Sequence, residues 1–256
     1  MAQTVQSIER AAAVLRLLAE AGRPLGVVEI ASSLALAKGT AHGIIRTLHD
    51  VGFVDQDRRT GRYRLGAELQ RLGGEPVDPN ELRSLAMNWT DTLAARTREA
   101  VRIGMLGEHE EVRIVHHVFR PDDSVQVLEI GRTLPSHASA LGKALLAYTP
   151  GAPAWLRGRK LEPYTARTIT DGRTLAGQLS LIRERGWSAD VEELTAGEAS
   201  IAAPIRDAGG VVLGAVAVTG APTTICDGGR NPRPKLALLV VTTARAITGE
   251  LASRRR

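Results

Sequence analysis

Cysteine is nearly missing from this chain. Cys226 stands alone among 256 residues, so no disulfide can close within the chain, and the composition fits a reducing compartment, the cytoplasm. Long apolar runs are missing too. The runs LALLVV at 236–241 and VVLGAVAV at 211–218 fall well short of the ~20 residues that span a bilayer, so no membrane partner is expected. In MAQTVQSIERAAA, Glu9 and Arg10 interrupt the apolar stretch that a secretion signal needs, so export is not expected. Signatures of catalysis are equally scarce. There is no GxSxG elbow and no HExxH pair. SHASALGKA resembles a phosphate loop, but Ala144 follows Lys143 where the Walker pattern requires Ser or Thr. His116 and His117 are neighbours on a strand pattern and therefore point to opposite faces. With Cys226 and the scattered histidines lacking ligand spacing, neither a metal nor a cofactor is expected.

Hydrophobic residues make up 43% of the chain and charged residues 24%, a globular balance at a length suited to one large domain or two ordinary ones. The net charge of +5 suggests a polyanionic partner, but residues 1–75 hold ten Lys and Arg against eight Asp and Glu. Local placement has to make the nucleic-acid case.

Placement does so in the first seventy residues. SIERAAAVLRLLAEA carries Ile8, Ala11, Ala12, Leu15, Leu18 and Ala19 on one helical stripe behind a Ser7 cap. Gly22 and Pro24 end it. VVEIASSL is a second, shorter helix, and only Ala35 and Leu36 separate it from the helix within LALAKGTAHGIIRTLHD, so the pair reads as a helix-turn-helix. Ala41, Ile44, Ile45 and Leu48 recur at helical spacing and take the core face. Lys38, Gly39, Thr40, His42, Gly43 and Arg46 are left outside. Each interior glycine costs about 1 kcal/mol relative to Ala, and it admits a close surface. The DNA major groove is one, at about 12 Å wide; an ordinary solvated helix is the alternative. FVDQDRRTGRYRLG follows as a hairpin with Arg58, Arg59 and Arg62 at or beside its tip. A basic hairpin directly after a recognition helix is a wing placed for phosphates or the minor groove.

These stretches, SIERAAAVLRLL, EIASSLALAKGTAHGIIRTL and GFVDQDRRTGRYRLG, resemble the DNA-binding domain of the isocitrate lyase regulator (IclR) family of bacterial transcription factors. AKGTAHGIIRTL is most similar to the actinobacterial glycerol operon regulators within it. Many family members carry a larger polar residue where this chain has Gly43.

RLGGEPVDPN, residues 71–80, reads as a boundary. ELRSLAMNWTDTLAARTREA is then a helix with Leu82, Leu85, Ala86, Trp89, Leu93 and Ala94 on one side, able to pack on its own domain or on a second subunit. Beyond it, VRIGML, EVRIVHHVFR and VQVLEIG read as strands, a helix begins at Ser136, and residues 174–185 form another. ASIAAPIRD and VVLGAVAVTG make a hairpin about Gly209-Gly210, and a helix from about Pro234 to Leu251 closes the chain. The pattern implies a mostly antiparallel α+β sheet.

LPSHASALGKALLA, RERGWSADVEELTAGEASIAAPI and GAVAVTG are similar to the same family's C-terminal effector-binding domain. The resemblance implies an α+β chain made of a winged helix-turn-helix domain, residues 1–72, a linker and connecting helix, 73–98, and a GAF-like effector-binding domain, 99–256. It implies that backbone amides at Ala140 and Leu141, with Gly142 beside them, meet an acidic group of the effector. It implies also that Asp190, Ser200 and Thr219 face the ligand. The residues alone leave close helix packing behind a Ser136 cap as the alternative for the first group, and an exposed acidic loop for the second. Glu198 stands where relatives often carry an apolar pocket residue. The expected function is a DNA-binding repressor controlled by a small metabolite, glycerol or its phosphate being a first guess. It would act on double-stranded operator DNA as a homodimer or homotetramer. An enzyme with an appended DNA-binding module is the competing reading.

Overall fold

Helix-forming periodicity in the first seventy residues and strand-forming runs beyond residue 100 produce two compact units, residues 1–76 and 77–256. The structure is a computed structural model. It describes residues 5–254 apart from 58–59, 67–68, 70–77, 108–109, 150–151, 153–155, 157–158, 208–209 and 229. Arg58, Arg59, Gly209 and most of the RLGGEPVDPN segment therefore lie outside the described residues.

In the first unit α1, Gln6–Ala21, begins after Val5 without a side-chain cap, so Ser7 lies inside the first turn and is not the expected cap. Val14 and Leu18 are the buried positions, while Ile8 and Ala19 of the expected stripe are exposed. The core face is thus rotated toward Val14 and Leu17, which pack with Leu15 and Ala11. Gly22, with φ of 60°, ends the helix in the left-handed conformation. In α2, Val27–Ser33, the Glu29 carboxylate reaches back to accept from the Gly26 amide at 2.8 Å. Ile30 and Ala31 are buried. After a tight turn comes α3, Lys38–Asp50, with Ala41, Ile45 and Leu48 buried. Fully burying Ile30 and Ile45 contributes roughly 1.5–3 kcal/mol each. Strands β1, Val54–Gln56, and β2, Tyr63–Leu65, pair antiparallel, and Leu25 bridges to Tyr63. Val54 and Tyr63 complete the helical core.

The second unit is built on a six-stranded sheet of order β5-β4-β3-β8-β7-β6, antiparallel at each pairing. The strands are β3 (Ala100–Leu106), β4 (Val112–Val118), β5 (Thr133–Leu134), β6 (Ser188–Val191), β7 (Ala199–Arg206) and β8 (Val212–Gly220). VQVLEIG is not the expected strand. Val125 is fully exposed and Val127 nearly so. The side chain of Gln126 pairs with the Arg120 backbone, at 2.7 and 2.9 Å, in place of a neighbouring strand. Only Thr133–Leu134 joins the sheet there.

Alternation divides the sheet into two unlike faces. One carries Val101, Ile103, Ile201, Ile205, Val216 and Val218 and packs against α4, Pro79–Thr97, and the C-terminal helix α8, Pro234–Arg254. The α4 stripe thus lies on the sheet of its own unit. Trp89 of the expected stripe stays 37% exposed. Thr90 turns inward instead, its hydroxyl bonding to Met87 O at 2.8 Å and meeting His116 Nε2 at 3.0 Å. Helix α8 is long and apolar enough to cross a membrane by composition, but its Ala237, Val240, Ala244, Ile247 and Leu251 face belongs to this core.

The other face presents Ala202, Ala215 and Ala217, small enough for α5, Ala140–Leu146, to lie directly on it. The α5 cap is Ser139, not Ser136, because the Ser139 hydroxyl accepts from the Gly142 amide at 3.1 Å. A Cβ on Gly142 would overlap the Ser136 backbone, so the segment 136–139 can fold back only over glycine. Beyond α5, helix α6, Gly172–Arg185, packs Leu175, Leu179 and Ile182 on Leu146. A short α7, Pro222–Ile225, precedes α8.

The two helical glycines with opposite surroundings give a direct test. Gly142→Ala should lower the urea-unfolding free energy by at least about 2 kcal/mol. Gly177→Ala, in α6 with nothing within 4 Å of the added carbon, should raise it by about 0.5–1 kcal/mol. Equal effects of both would contradict the close α5 contact.

Candidate DNA interface and effector site

Core packing of Ala41, Ile45 and Leu48 fixes which side of α3 looks outward. Lys38, Gly39, His42, Gly43 and Arg46 are exposed, and Thr40 is half-buried. A Cβ added at Gly39 or Gly43 would meet nothing within 4 Å. No packing among the described residues therefore asks for glycine at either position, and the bare backbone faces outward between the Lys38 and Arg46 charges.

The wing is tied to the helices by one carboxylate. Arg62 Nη1 donates to Glu29 Oε2 at 3.0 Å and to the Pro24 carbonyl at 3.1 Å. Arg23 donates to Glu29 Oε1 at 3.2 Å. The Gly26 amide bond, joined by the Arg23 and Arg62 guanidiniums, holds the Glu29 carboxyl below its usual range. Arg62 is thus anchored beside the hairpin turn, with its side chain 45% exposed.

In the second unit, cross-strand register aligns Asp190, Ser200, Thr219 and Ala100 in one row on the α5 face. Asp190 and Thr219 are buried, and Ser200 is 6% exposed, so this is not an exposed acidic loop. Ser200 and Thr219 hydroxyls bond at 2.9 Å. Asp190 Oδ1 accepts from the Glu193 amide at 2.7 Å and the Leu194 amide at 3.4 Å. Ala140 lies close to the row, since its carbonyl accepts from the Ser188 hydroxyl. Gly142 has its amide committed to Ser139; the first-turn amides of Ala140 and Leu141 have no intrahelical partner.

Two charged clusters escaped the reading of the sequence. Lys143 is wholly buried and pairs with Glu193. Burial pushes its ammonium down from its ordinary value against the pull of Glu193 and Asp190. Arg102 lies between Glu129 and Glu198, paired with the latter at 3.2 Å. It fronts a cavity of about 260 Å³ lined also by His117, Arg120 and Thr219. Of the expected effector residues Thr219 lines this cavity, whereas Asp190, Ser200 and the α5 turn are not among its lining residues. The signal for both clusters was a lone cation inside an apolar run, Arg102 in VRIGML and Lys143 in ALGKALLA. His116 and His117 do point to opposite faces, toward Thr90 and toward the cavity. Burial lowers the basicity of each, with Arg83 adding to the effect on His116 and Arg102 to that on His117.

Comparisons with known proteins agree with this division. Residues 7–58 match the family model described as the IclR helix-turn-helix domain. Residues 75–249 match that of the bacterial transcriptional regulator IclR C-terminal domain. Over the full length of both chains, the sequence is 51% identical to the glycerol operon regulatory protein of Streptomyces coelicolor and 47% identical to that of Streptomyces griseus. The crystal structure of an IclR transcriptional regulator from Alicyclobacillus acidocaldarius superposes with a TM-score of 0.59 at 26% identity, covering 98% of this chain and 100% of that one.

The buried row makes a pH prediction. Burial pushes the Asp190 carboxyl up from 3.8 to about 7, opposed by its two amide bonds and by Lys143. The folded value lies above the unfolded one, so the folded chain holds the extra proton between about pH 4 and pH 7. This group's contribution is whole below about pH 4 and is lost as pH rises through about 7, a swing of up to about 4 kcal/mol. Urea unfolding from pH 5 to 8 should show the wild type losing stability relative to Asp190→Asn. A pH-independent difference would contradict the raised value.

Proposed function

The chain belongs to the IclR family of bacterial transcriptional regulators, and from that membership we propose which residues perform the regulation. The chain is a DNA-binding regulator with a C-terminal effector domain, and its relatives are regulators, not enzymes. In this reading residues 1–72 bind operator DNA, 73–98 form the linker and connecting helix, and 99–256 take the effector. The recognition face is Lys38, Gly39, Thr40, His42, Gly43 and Arg46, entering the major groove. Arg58 and Arg59 reach phosphates from the wing, and Arg62 holds the wing in place while adding positive charge. The observation that carries this reading is the outward, unpacked backbone at Gly39 and Gly43. It costs helix stability, and among the described residues nothing uses the space.

A single winged helix makes too few contacts for the ~10⁻⁸ to 10⁻¹¹ M typical of specific complexes. A homodimer or homotetramer that pairs recognition helices over a palindrome supplies the rest. The effector site comprises Ala140, Leu141, Gly142, Asp190, Ser200 and Thr219. The names of the Streptomyces relatives support a glycerol-type effector, and the regulator is a cytoplasmic repressor in this reading. A coupling of about 1–3 kcal/mol between the sites changes operator affinity about 5–150-fold, enough for a switch.

Gly43→Leu tests the carrying observation. The variant should melt no lower than the wild type, because the site is open and Leu favours helix, yet lose operator binding in a mobility-shift assay. Retained binding would sink the recognition-face assignment. Arg46→Ala should cost about 1–3 kcal/mol on the operator and little on random DNA. Replacing Arg58 and Arg59 by Ala should weaken binding to both DNAs and reduce the salt slope by about one per lost phosphate contact. An unchanged slope would remove the wing from the contact set.

A further inference from the structure

The segment between β4 and β5 has the composition of a strand and the surroundings of a surface. In VQVLEIG, Val125, Val127 and Ile130 are strand formers. Yet Val125 is wholly exposed, Val127 is 76% and Leu128 58% exposed, and Ile130 is exposed as well. Of the fourteen large apolar side chains exposed among the described residues, four therefore fall within the six residues Val125–Ile130. Scattered singly they would need no explanation; grouped, they mark a contact surface. The amides and carbonyls of Val125, Val127 and Leu128 bond to none of the described residues. The segment is nonetheless held in place. Gln126 bonds to the Arg120 backbone in both directions, the Glu129 amide donates to His117 Nδ1 at 3.3 Å, and the Glu129 carboxylate is taken by Arg102 and Arg132. Polar side chains thus fasten the segment and leave an apolar surface with unpaired backbone facing solvent, the condition of an open strand edge.

We propose that two copies of the chain meet here, residues 125–130 of one protomer pairing antiparallel with the same residues of its partner about a two-fold axis. The inference rests on the homo-oligomer reading above and supplies its surface. A second copy fits because the segment is complementary to itself in charge. Asp122 and Asp123 stand at its N-terminal end and Arg132 at its C-terminal end, with Arg113 of β4 opposite Thr133. Asp122 is bonded to Arg120, but Asp123 is exposed, and Arg132, though bonded to Glu129, keeps its side chain 55% exposed. Antiparallel pairing sets the acidic end of each segment against the basic end of the other, whereas parallel pairing would set like charges together. A two-fold contact also closes after two chains, so the exposed edge is used up and does not extend into a filament.

Sedimentation and cysteine cross-linking of the full chain test it. Val125→Asp/Leu128→Asp changes two exposed positions outside the cavity lining. It should halve the sedimenting mass or weaken association by about tenfold or more, with an unchanged far-UV circular dichroism spectrum, because each new carboxylate would have to give up water in the contact. Val125→Ser/Leu128→Ser should act in the same direction and decides the matter if the Asp pair fails to fold. Asp123→Arg should weaken association, and Asp123→Arg/Arg132→Asp should recover part of it. Facing residues of antiparallel strands lie roughly 4.5–5.5 Å apart, within disulfide reach. At least one of Val125→Cys, Val127→Cys and Leu128→Cys should therefore give a linked dimer on oxidation with diamide. Leu181→Cys, exposed on α6, should not, and the buried Cys226 should give no background. Unchanged association of the folded Asp or Ser pair, no recovery by the double charge reversal, or no cross-link at any of the three positions would each overturn the proposal. A dimeric or tetrameric wild type with unaffected variants removes this surface alone; a monomeric wild type removes the homo-oligomer reading with it.

Discussion

A fully buried ammonium cannot be left alone, and Lys143 is one. Stripped of water, an unpaired lysine costs several kcal/mol, so α5 can lie on the sheet only where a carboxylate meets it. Glu193 supplies that carboxylate from the connection after β6, and Asp190 one turn earlier organises the same connection by accepting the Glu193 and Leu194 amides. The ion pair thereby draws the β6–β7 connection against α5. Glu198, at the end of that connection, comes to face Arg102 on β3. Charge carried on α5 thus helps position a carboxylate at the cavity.

The sheet beneath makes this possible by being two-sided in composition. Its α4/α8 face is Val and Ile rich, and its helices pack in the ordinary way. Its α5 face is a field of alanines next to a row of Asp190, Ser200 and Thr219. Small side chains let the helix approach, and the polar row begins where the alanines stop. The neighbouring histidines obey the same division. His116 serves the Thr90 hydroxyl of α4, and His117 serves the cavity.

The first unit makes the opposite use of small residues. In α5 Gly142 is demanded by a backbone contact, whereas in α3 Gly39 and Gly43 are demanded by nothing among the described residues. A stability cost with no return among the described residues suits the close approach of an external surface, which is the contact proposed above for DNA. Glu29 gives the wing a fixed base by joining α2, Arg23 and Arg62, although such exposed pairs contribute little to stability themselves.

Periodicity alone was enough for the helix-turn-helix, the α3 core face, the β7–β8 hairpin and the closing helix, because each is a local pattern of apolar spacing. Local pattern misled at Ser7 and Ser136, where a nearby serine looked like a cap but backbone geometry chose Val5 and Ser139. It misled again at VQVLEIG, whose alternation found no sheet edge to join. The cross-strand row of Asp190, Ser200 and Thr219, the pairing of Lys143 with Glu193, and the convergence of Arg102, Glu129 and Glu198 were decided by tertiary structure. They join residues up to 96 positions apart, and a sequence specifies which charges exist without specifying which of them folding will strip of water and set face to face.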